Sequence, residues 1–150
     1  MSGGVENVLV ENVRFTLANG AAHIKTGVTR GGYVKNVVFR DIVVDGLVDN
    51  GIQVDGGSRE TRNPSCPAHW KPPALPVMSN YSFINWDGSH MRSKRSPYYF
   101  RGQSGAPITG IVVQNVQFKA GRSAPWTCEN VEGVATNSTP APPCPELTPA

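Results

Sequence analysis

Four segments of this chain follow one template: a small polar residue, an apolar one, any residue, an apolar one, any residue, Asn or Asp, and an apolar one. They are Asn7-Val-Leu-Val-Glu-Asn-Val13, Asn36-Val-Val-Phe-Arg-Asp-Ile42, Asn80-Tyr-Ser-Phe-Ile-Asn-Trp86 and Gly110-Ile-Val-Val-Gln-Asn-Val116. Their starts at residues 7, 36, 80 and 110 give intervals of 29, 44 and 30 residues. Two intervals agree, and the third is longer by about half a repeat. The surplus falls in Ser58-Arg-Glu-Thr-Arg-Asn-Pro-Ser-Cys-Pro-Ala-His-Trp-Lys-Pro-Pro73, which reads as an inserted loop. Apolar residues at every second position mark strands, and a repeat near 30 residues marks stacked units that bury a continuous core only together.

Each repeat has room for three short strands. In the first they fall at Val8–Val10, Val13–Leu17 and Ala22–Lys25, and in the second at Val37–Phe39, Ile42–Val44 and Gly51–Val54. Three strands and three turns per repeat describe one coil of a right-handed, single-stranded parallel β-helix, an all-β solenoid. About four coils are expected over residues 1–127, with the inserted loop at about 58–73. Asn12, Asp41, Asn85 and Asn115 then fall at one recurring corner, where left-handed backbone and local hydrogen bonding suit Asn and Asp. An antiparallel sandwich also uses many short strands, but it has no reason to repeat its corners.

Composition agrees with this class. With 16 Gly and 13 Pro in 150 residues, turns and short strands fit better than helices. From about Arg122 the pattern stops, and Pro recurs through Ser138–Ala150, removing ladder donors. Residues 128–150 are therefore expected to cover the last coil. The other end leads almost directly from Met1 into the first repeat, without a cap. An uncovered solenoid end is an open edge, so the chain reads as the C-terminal part of a longer protein.

The charge balance, 14 basic against 11 acidic residues, gives only mild attraction to anions. It lacks the dense basic face of a nucleic-acid binder, and Arg92-Ser-Lys-Arg95 reads as a solvated loop. No apolar run approaches the ~20 residues of a membrane span, and the N-terminus has no secretory leader pattern. Asn80-Tyr-Ser82 and Asn137-Ser-Thr139 are glycosylation sequons. A disulfide between Cys128 and Cys144 could fasten the Pro-rich tail, leaving Cys66 without a partner in the chain. His90 has no acidic or cysteine partner at ligand spacing, so neither a metal site nor a cofactor is expected.

The chemistry-bearing stretch is Ala22-His-Ile-Lys-Thr-Gly27 with Arg30-Gly-Gly-Tyr-Val-Lys-Asn36. Residues two apart in a strand share a face, so His23 and Lys25 display donors side by side that suit a carboxylate or a sugar hydroxyl. No carboxylate lies nearby in sequence to serve as catalyst. Arg30 and Tyr33 read as turn and coil packing, and Gly27, Gly31 and Gly32 as turn geometry. Trp70 and His69 in the inserted loop read as packing on the solenoid, Trp126 as packing under the tail, and Tyr98-Tyr-Phe100 as core.

Together these residues resemble glycoside hydrolase family 28, the polygalacturonase-like enzymes, and most of all the C-terminal portion of its plant-type members. The stretches carrying the likeness are Met1-Ser-Gly-Gly-Val-Glu-Asn7, His23-Ile-Lys-Thr26, Arg30-Gly-Gly-Tyr-Val-Lys-Asn36, Ala74-Leu-Pro-Val77, and Pro125-Trp-Thr-Cys128 with Cys144. The resemblance implies a β-helix, secretion to the cell wall or medium, a monomer when full length, and inverting hydrolysis of acidic, pectin-like polysaccharide by two separated carboxylates. It implies no nucleic-acid or membrane partner. The family's carboxylates lie in an Asn-Thr-Asp motif and an Asp-Asp pair, followed by Gly-His-Gly. None of these occurs in this chain, and in the family's order all precede residue 1.

What remains is the family's Arg-Ile-Lys, which binds the substrate carboxylate and adjacent hydroxyls. Lys25 matches its Lys, and His23 stands in place of its Arg. Arg is permanently charged and forked, whereas His offers one or two donors and gains charge only toward acid pH. The resemblance thus implies a substrate-binding strand without catalytic residues, and an isolated chain that is inactive on pectin. The alternative is a non-catalytic carbohydrate-binding or structural β-solenoid.

Overall fold

The computed structural model describes residues 3–27, 31–46, 49–58, 75–93, 96–120, 126–141 and 144–148. Among them there is no helix. The ten strands are β1 (Gly4–Thr16), β2 (Ala22–Gly27), β3 (Tyr33–Asp45), β4 (Ile52–Ser58), β5 (Val77–Ser93), β6 (Tyr98–Arg101), β7 (Ile108–Ala120), β8 (Thr127–Glu129), β9 (Val131–Thr136) and β10 (Leu147–Thr148). They form one sheet of six strands in the order β1-β3-β5-β7-β9-β10 and one of four in the order β2-β4-β6-β8. All these pairings are parallel. The chain alternates between the two sheets, each circuit lying on the one before it, which defines a parallel β-helix.

The inward columns follow directly from the repeat. Val10, Phe39, Phe83, Val113 and Ala135 stack in register from β1 to β9. Val13, Ile42, Trp86 and Val116 form a second column, and Ala22, Ile52 and Tyr98 a third on the smaller sheet. Rings dominate the middle of the stack: Phe39 lies 5.9 Å from Phe83, and Trp86 packs edge-on to Phe118 at 6.0 Å. A Cβ at Gly88 would sit 2.2 Å from the Phe118 ring, so this residue's lack of a side chain makes room for that packing. The polar tips of the large rings are satisfied: Tyr81 Oη donates to Val34 O at 2.7 Å, and Trp86 Nε1 to Phe39 O at 3.3 Å.

The corners carry the repeat's polar residues. Asn12, Asp41, Asn85 and Asn115 all have φ between 53° and 56°, the left-handed conformation that Asn and Asp tolerate best. Asn85 donates from Nδ2 to Asp41 Oδ1, Asn115 to Asn85, and Asn137 to Asn115, each at 3.0 Å. The first template position forms a second ladder, with Asn36 donating to Asn7 and Asn80 to Asn36, both at 3.0 Å. Gly110 ends that ladder at φ 68°. The expected corner is therefore present, and it is one of a pair.

Several boundaries differ from the sequence reading. In place of two separate strands, β1 runs unbroken from Gly4 to Thr16, because the left-handed Asn7 and Asn12 bend it while pairing resumes after each. Leu17, expected in a strand, has φ 50° and is 81% exposed. Ser58 ends β4, so it belongs to the ladder and not to the insertion. The coils also continue beyond residue 127, through β8 and β9 to Thr136, since alternation resumes there over a stretch too short to stand out. Even the Pro-rich tail contributes a strand, β10, paired with β9 through residues that lie between prolines. The rest of the inserted loop, with Cys66, His69 and Trp70, lies outside the described residues, as does Arg30.

A candidate carbohydrate-binding face on the smaller sheet

Strand β2 turns Ala22 inward, fully buried, and leaves His23 and Lys25 exposed on the outer face. The two side chains are thus neighbours on one face, about 7 Å apart along the strand. No ion pair or hydrogen bond holds either among the described residues. Register extends the face across the sheet. His23 heads a row continuing to Gln53, Tyr99 and Thr127, and Lys25 a row continuing to Asp55, Arg101 and Glu129.

The second row alternates in charge, and its middle pair is clamped. Arg101 donates from Nε to Asp55 Oδ1 and from Nη2 to Asp55 Oδ2, both at 3.0 Å. A bulge between Lys25 and Gly27 leaves one extra residue in β4, and the Gly57 amide donates back to Asp55 Oδ1 at 2.9 Å. Asp55 is only 5% exposed, so three hydrogen bonds offset the cost of burying its charge. The Asp55 carboxylate holds the Arg101 guanidinium above its ordinary pKa. The Arg101 guanidinium also lies 5.5 Å from the Tyr99 ring centroid. Burial is the main reason the Tyr99 hydroxyl titrates above its ordinary value, with Asp55 adding to it. Arg101 is therefore committed internally, while Lys25 on the same row is exposed and has no such partner among the described residues.

At the entrance to β2 and β4 the face dips into a cleft of about 240 Å³ whose wall includes Asn19, His23, Asp49, Asn50 and Gln53. Asn50 is 8% exposed and donates from Nδ2 to Gln53 Oε1 at 3.0 Å. A second, shallower hollow lies along the larger sheet around Asp41, Asn85, Asp87 and Gln117.

The other residues singled out from the sequence fall as follows. Tyr98 and Phe100 are fully buried, but Tyr99 points outward, because alternation puts the middle residue of a strand triplet on the opposite face. Tyr33 packs its ring over Gly4 and under the Lys35 ammonium, 4.8 Å from the centroid. Cys128 and Cys144 are bonded to each other. Trp126 lies beneath the tail, stacked on Tyr98 at 3.6 Å, and donates from Nε1 to Pro140 O at 2.9 Å. The sequon residues Asn80 and Asn137 lie exposed in the two corner ladders, with their Nδ2 atoms donating along them. Among the described residues no three His, Cys, Asp or Glu side chains converge as a metal-binding group, and no helix is long and apolar enough to cross a membrane. Sequence reasoning missed Gln53, Asp55 and Arg101. Their only signal was alternation in β4 and β6, which shows the face but not the register that joins them to β2.

The two parallel sheets define the class as a parallel β-helix, and comparison with known proteins narrows it. The family model for glycosyl hydrolases family 28 matches residues 2–139, and the chain belongs to that family. It is 31% identical over 145 residues to a probable polygalacturonase of Vitis vinifera, covering 95% of this chain and 28% of that relative. A probable polygalacturonase of Arabidopsis thaliana is 30% identical over 155 residues, covering 96% of this chain and 32% of the relative. The chain thus spans about a third of the length of these curated relatives. No solved structure matches it significantly.

Proposed function

We propose that this chain is the substrate-binding part of a polygalacturonase-type glycoside hydrolase, with Lys25 and His23 holding the carboxylate and adjacent hydroxyls of an acidic, pectin-like polysaccharide. The carrying observation is the contrast on one sheet: Arg101 is tied to Asp55 at 3.0 Å, whereas Lys25 and His23 stand exposed on the same face. A sugar carboxylate can pair with Lys25 without displacing an internal partner, and charge-assisted bonds of that kind are the stronger ones. His23 supplies a directed donor beside it, and Tyr99 one register step beyond Gln53 offers a ring edge along the same row.

In this reading the two catalytic carboxylates required for inverting hydrolysis belong to segments of the whole enzyme outside these 150 residues. The chain by itself binds acidic oligosaccharide but does not cleave it. The whole enzyme would act outside the cell, as a monomer, with glycans at Asn80 and Asn137. A glycosylated amide retains one N–H, so a glycan and the ladder bond can coexist.

Titration of the purified chain with a tetragalacturonate oligomer tests the proposal. Binding should weaken as salt rises, and Lys25→Ala should reduce affinity about 5- to 20-fold, equivalent to about 1–2 kcal/mol for a charge-assisted contact at a wet surface. Affinity unchanged in Lys25→Ala would remove Lys25 from the site. Release of reducing ends from polygalacturonate by the chain alone would show that catalytic groups lie within it.

A further inference from the structure

We infer that Arg101 is a positioning residue for the binding face: by occupying Asp55 it keeps that carboxylate from pairing with Lys25, and so leaves the ammonium for an acidic ligand. The inference rests on the role proposed above for Lys25 and concerns what keeps that side chain available.

The carrying observation is an ion pair that does not form. On the larger sheet, opposite charges in register between the first two coils do pair, Glu6 with Lys35 at 2.8 Å and Glu11 with Arg40 at 2.7 Å. Lys25 and Asp55 are register partners in the same way, on strands about 4.8 Å apart. No ion pair joins them among the described residues. The difference lies one strand further on, where Arg101 is the second cation in register with Asp55. A planar guanidinium meets a carboxylate with two parallel donors, whereas an ammonium brings a single point of charge. Arg101 Nε donates to Oδ1 and Nη2 to Oδ2, both at 3.0 Å, and the Gly57 amide donates to Oδ1 at 2.9 Å. Arg101 faces Glu129 on its other side, yet its bonds go to Asp55.

The backbone makes room for this clamp. The extra residue in β4 brings Gly57 beside the guanidinium, and a Cβ there would lie 3.0 Å from Arg101 Nε and 2.3 Å from Gln103 Nε2. Glycine at this position leaves the guanidinium its seat. The Asp55 side chain is only 7% exposed, so without Arg101 its charge would be buried and uncompensated. The remaining cation in register is Lys25. A Lys25–Asp55 pair would hold the ammonium against the sheet, and an incoming sugar carboxylate would have to displace it.

The test measures the affinity of the tetragalacturonate oligomer for the 150-residue chain and its variants by calorimetry. Arg101→Gln should weaken binding about 5- to 20-fold, as much as Lys25→Ala, because the same contact is lost. Adding Lys25→Ala to Arg101→Gln should then cost nothing further. Asp55→Asn in the Arg101→Gln background removes the competing charge and should restore affinity to within about 2-fold of the unaltered chain. A clamp that only supported the fold would give the opposite result, since the double variant has no clamp at all. If Arg101→Gln does not fold, Asp55→Asn alone decides, because it leaves no buried carboxylate unpaired. It should bind as tightly as the unaltered chain or up to about 5-fold more tightly, with Arg101 released on the same row as Lys25. Weaker binding by Asp55→Asn, or no recovery in the double variant, would overturn the role of Arg101 and leave Lys25 on the face. Affinity unchanged in Arg101→Gln while Lys25→Ala weakens it would do the same. Lys25→Ala without effect overturns both proposals.

Discussion

In the first coil, Val8, Val10, Val13 and Phe15 are only partly buried against the core, and Val5, Leu9 and Leu17 are 51%, 53% and 81% exposed. At the other end Trp126, Val131, Ala135, Cys144 and Leu147 are all buried, under a tail that the Cys128–Cys144 bond secures. The same repeat thus gives a weakly and a strongly supported coil. In a solenoid each coil's stability is roughly its own plus that of its interfaces with neighbours, so similar side chains contribute less where they are only partly buried. Ion pairs between the first two coils, Lys35 with Glu6 at 2.8 Å and Arg40 with Glu11 at 2.7 Å, are surface exposed and add little. The candidate binding face begins on this less supported coil, while its clamped Asp55–Arg101 pair lies one and two coils deeper.

The sharpest way to break this comparison is a pair of truncations. Trp126→Ala should cost about 3–5 kcal/mol in urea unfolding, as a buried ring with a bonded indole N–H is lost, whereas Phe15→Ala should cost less than half as much. Equal losses would mean that the two ends are equally supported. Next in size is the disulfide. Replacing both Cys128 and Cys144 by Ser, 16 residues apart, should lower stability by about 3 kcal/mol and speed amide exchange in β9 and β10 more than in β1. Exchange that accelerates first in β1 would contradict the role given to the tail.

A smaller effect sharpens the picture of the corners. Each later amide in the ladder donates to the coil before it, but Asp41 has no N–H to offer Asn12, and the Asn12 side chain shows no partner among the described residues. Asp41→Asn completes the ladder and should stabilise the chain by up to about 1 kcal/mol, gained at the weakly supported end. A loss of stability would show that the charge on Asp41 matters more than the missing bond. The smallest effect is acid sensitivity at Asp87. Hydrogen bonds from Ser89, whose backbone N lies 3.0 Å from Asp87 Oδ1, hold its pKa below the ordinary value. A depressed carboxylate adds stability that is full above its unfolded pKa and is lost as pH falls through the folded one. Asp87→Asn should therefore narrow the gap in melting temperature between neutral and strongly acid solution, slightly because Asp87 is exposed. An unchanged gap would remove that contribution.

How much was legible beforehand depends on whether the cause was local. Apolar alternation and the spacing of Asn12, Asp41, Asn85 and Asn115 sufficed for the solenoid, because period and left-handed tolerance are properties of short segments. The same local rule placed His23 and Lys25 on one outward face. The ends of the pattern misled: Pro-rich composition hid β10, and the short β8 and β9 lay below the length at which alternation is visible.

The amino-acid sequence by itself determined the repeat, the inward columns, the polar corners and the exposed pair His23 and Lys25, since each follows from side-chain type at strand spacing. Only the tertiary structure decided which residues from other coils face that pair. Register between β2, β4 and β6 puts Gln53 and Asp55 beside His23 and Lys25 and lets Arg101 reach back 46 residues to Asp55. A contact of that range depends on how many residues each turn and insertion consumes, and no local propensity encodes that count. The cleft of Asn19, Asn50 and Gln53 has the same origin, because it exists only where two successive turns are stacked.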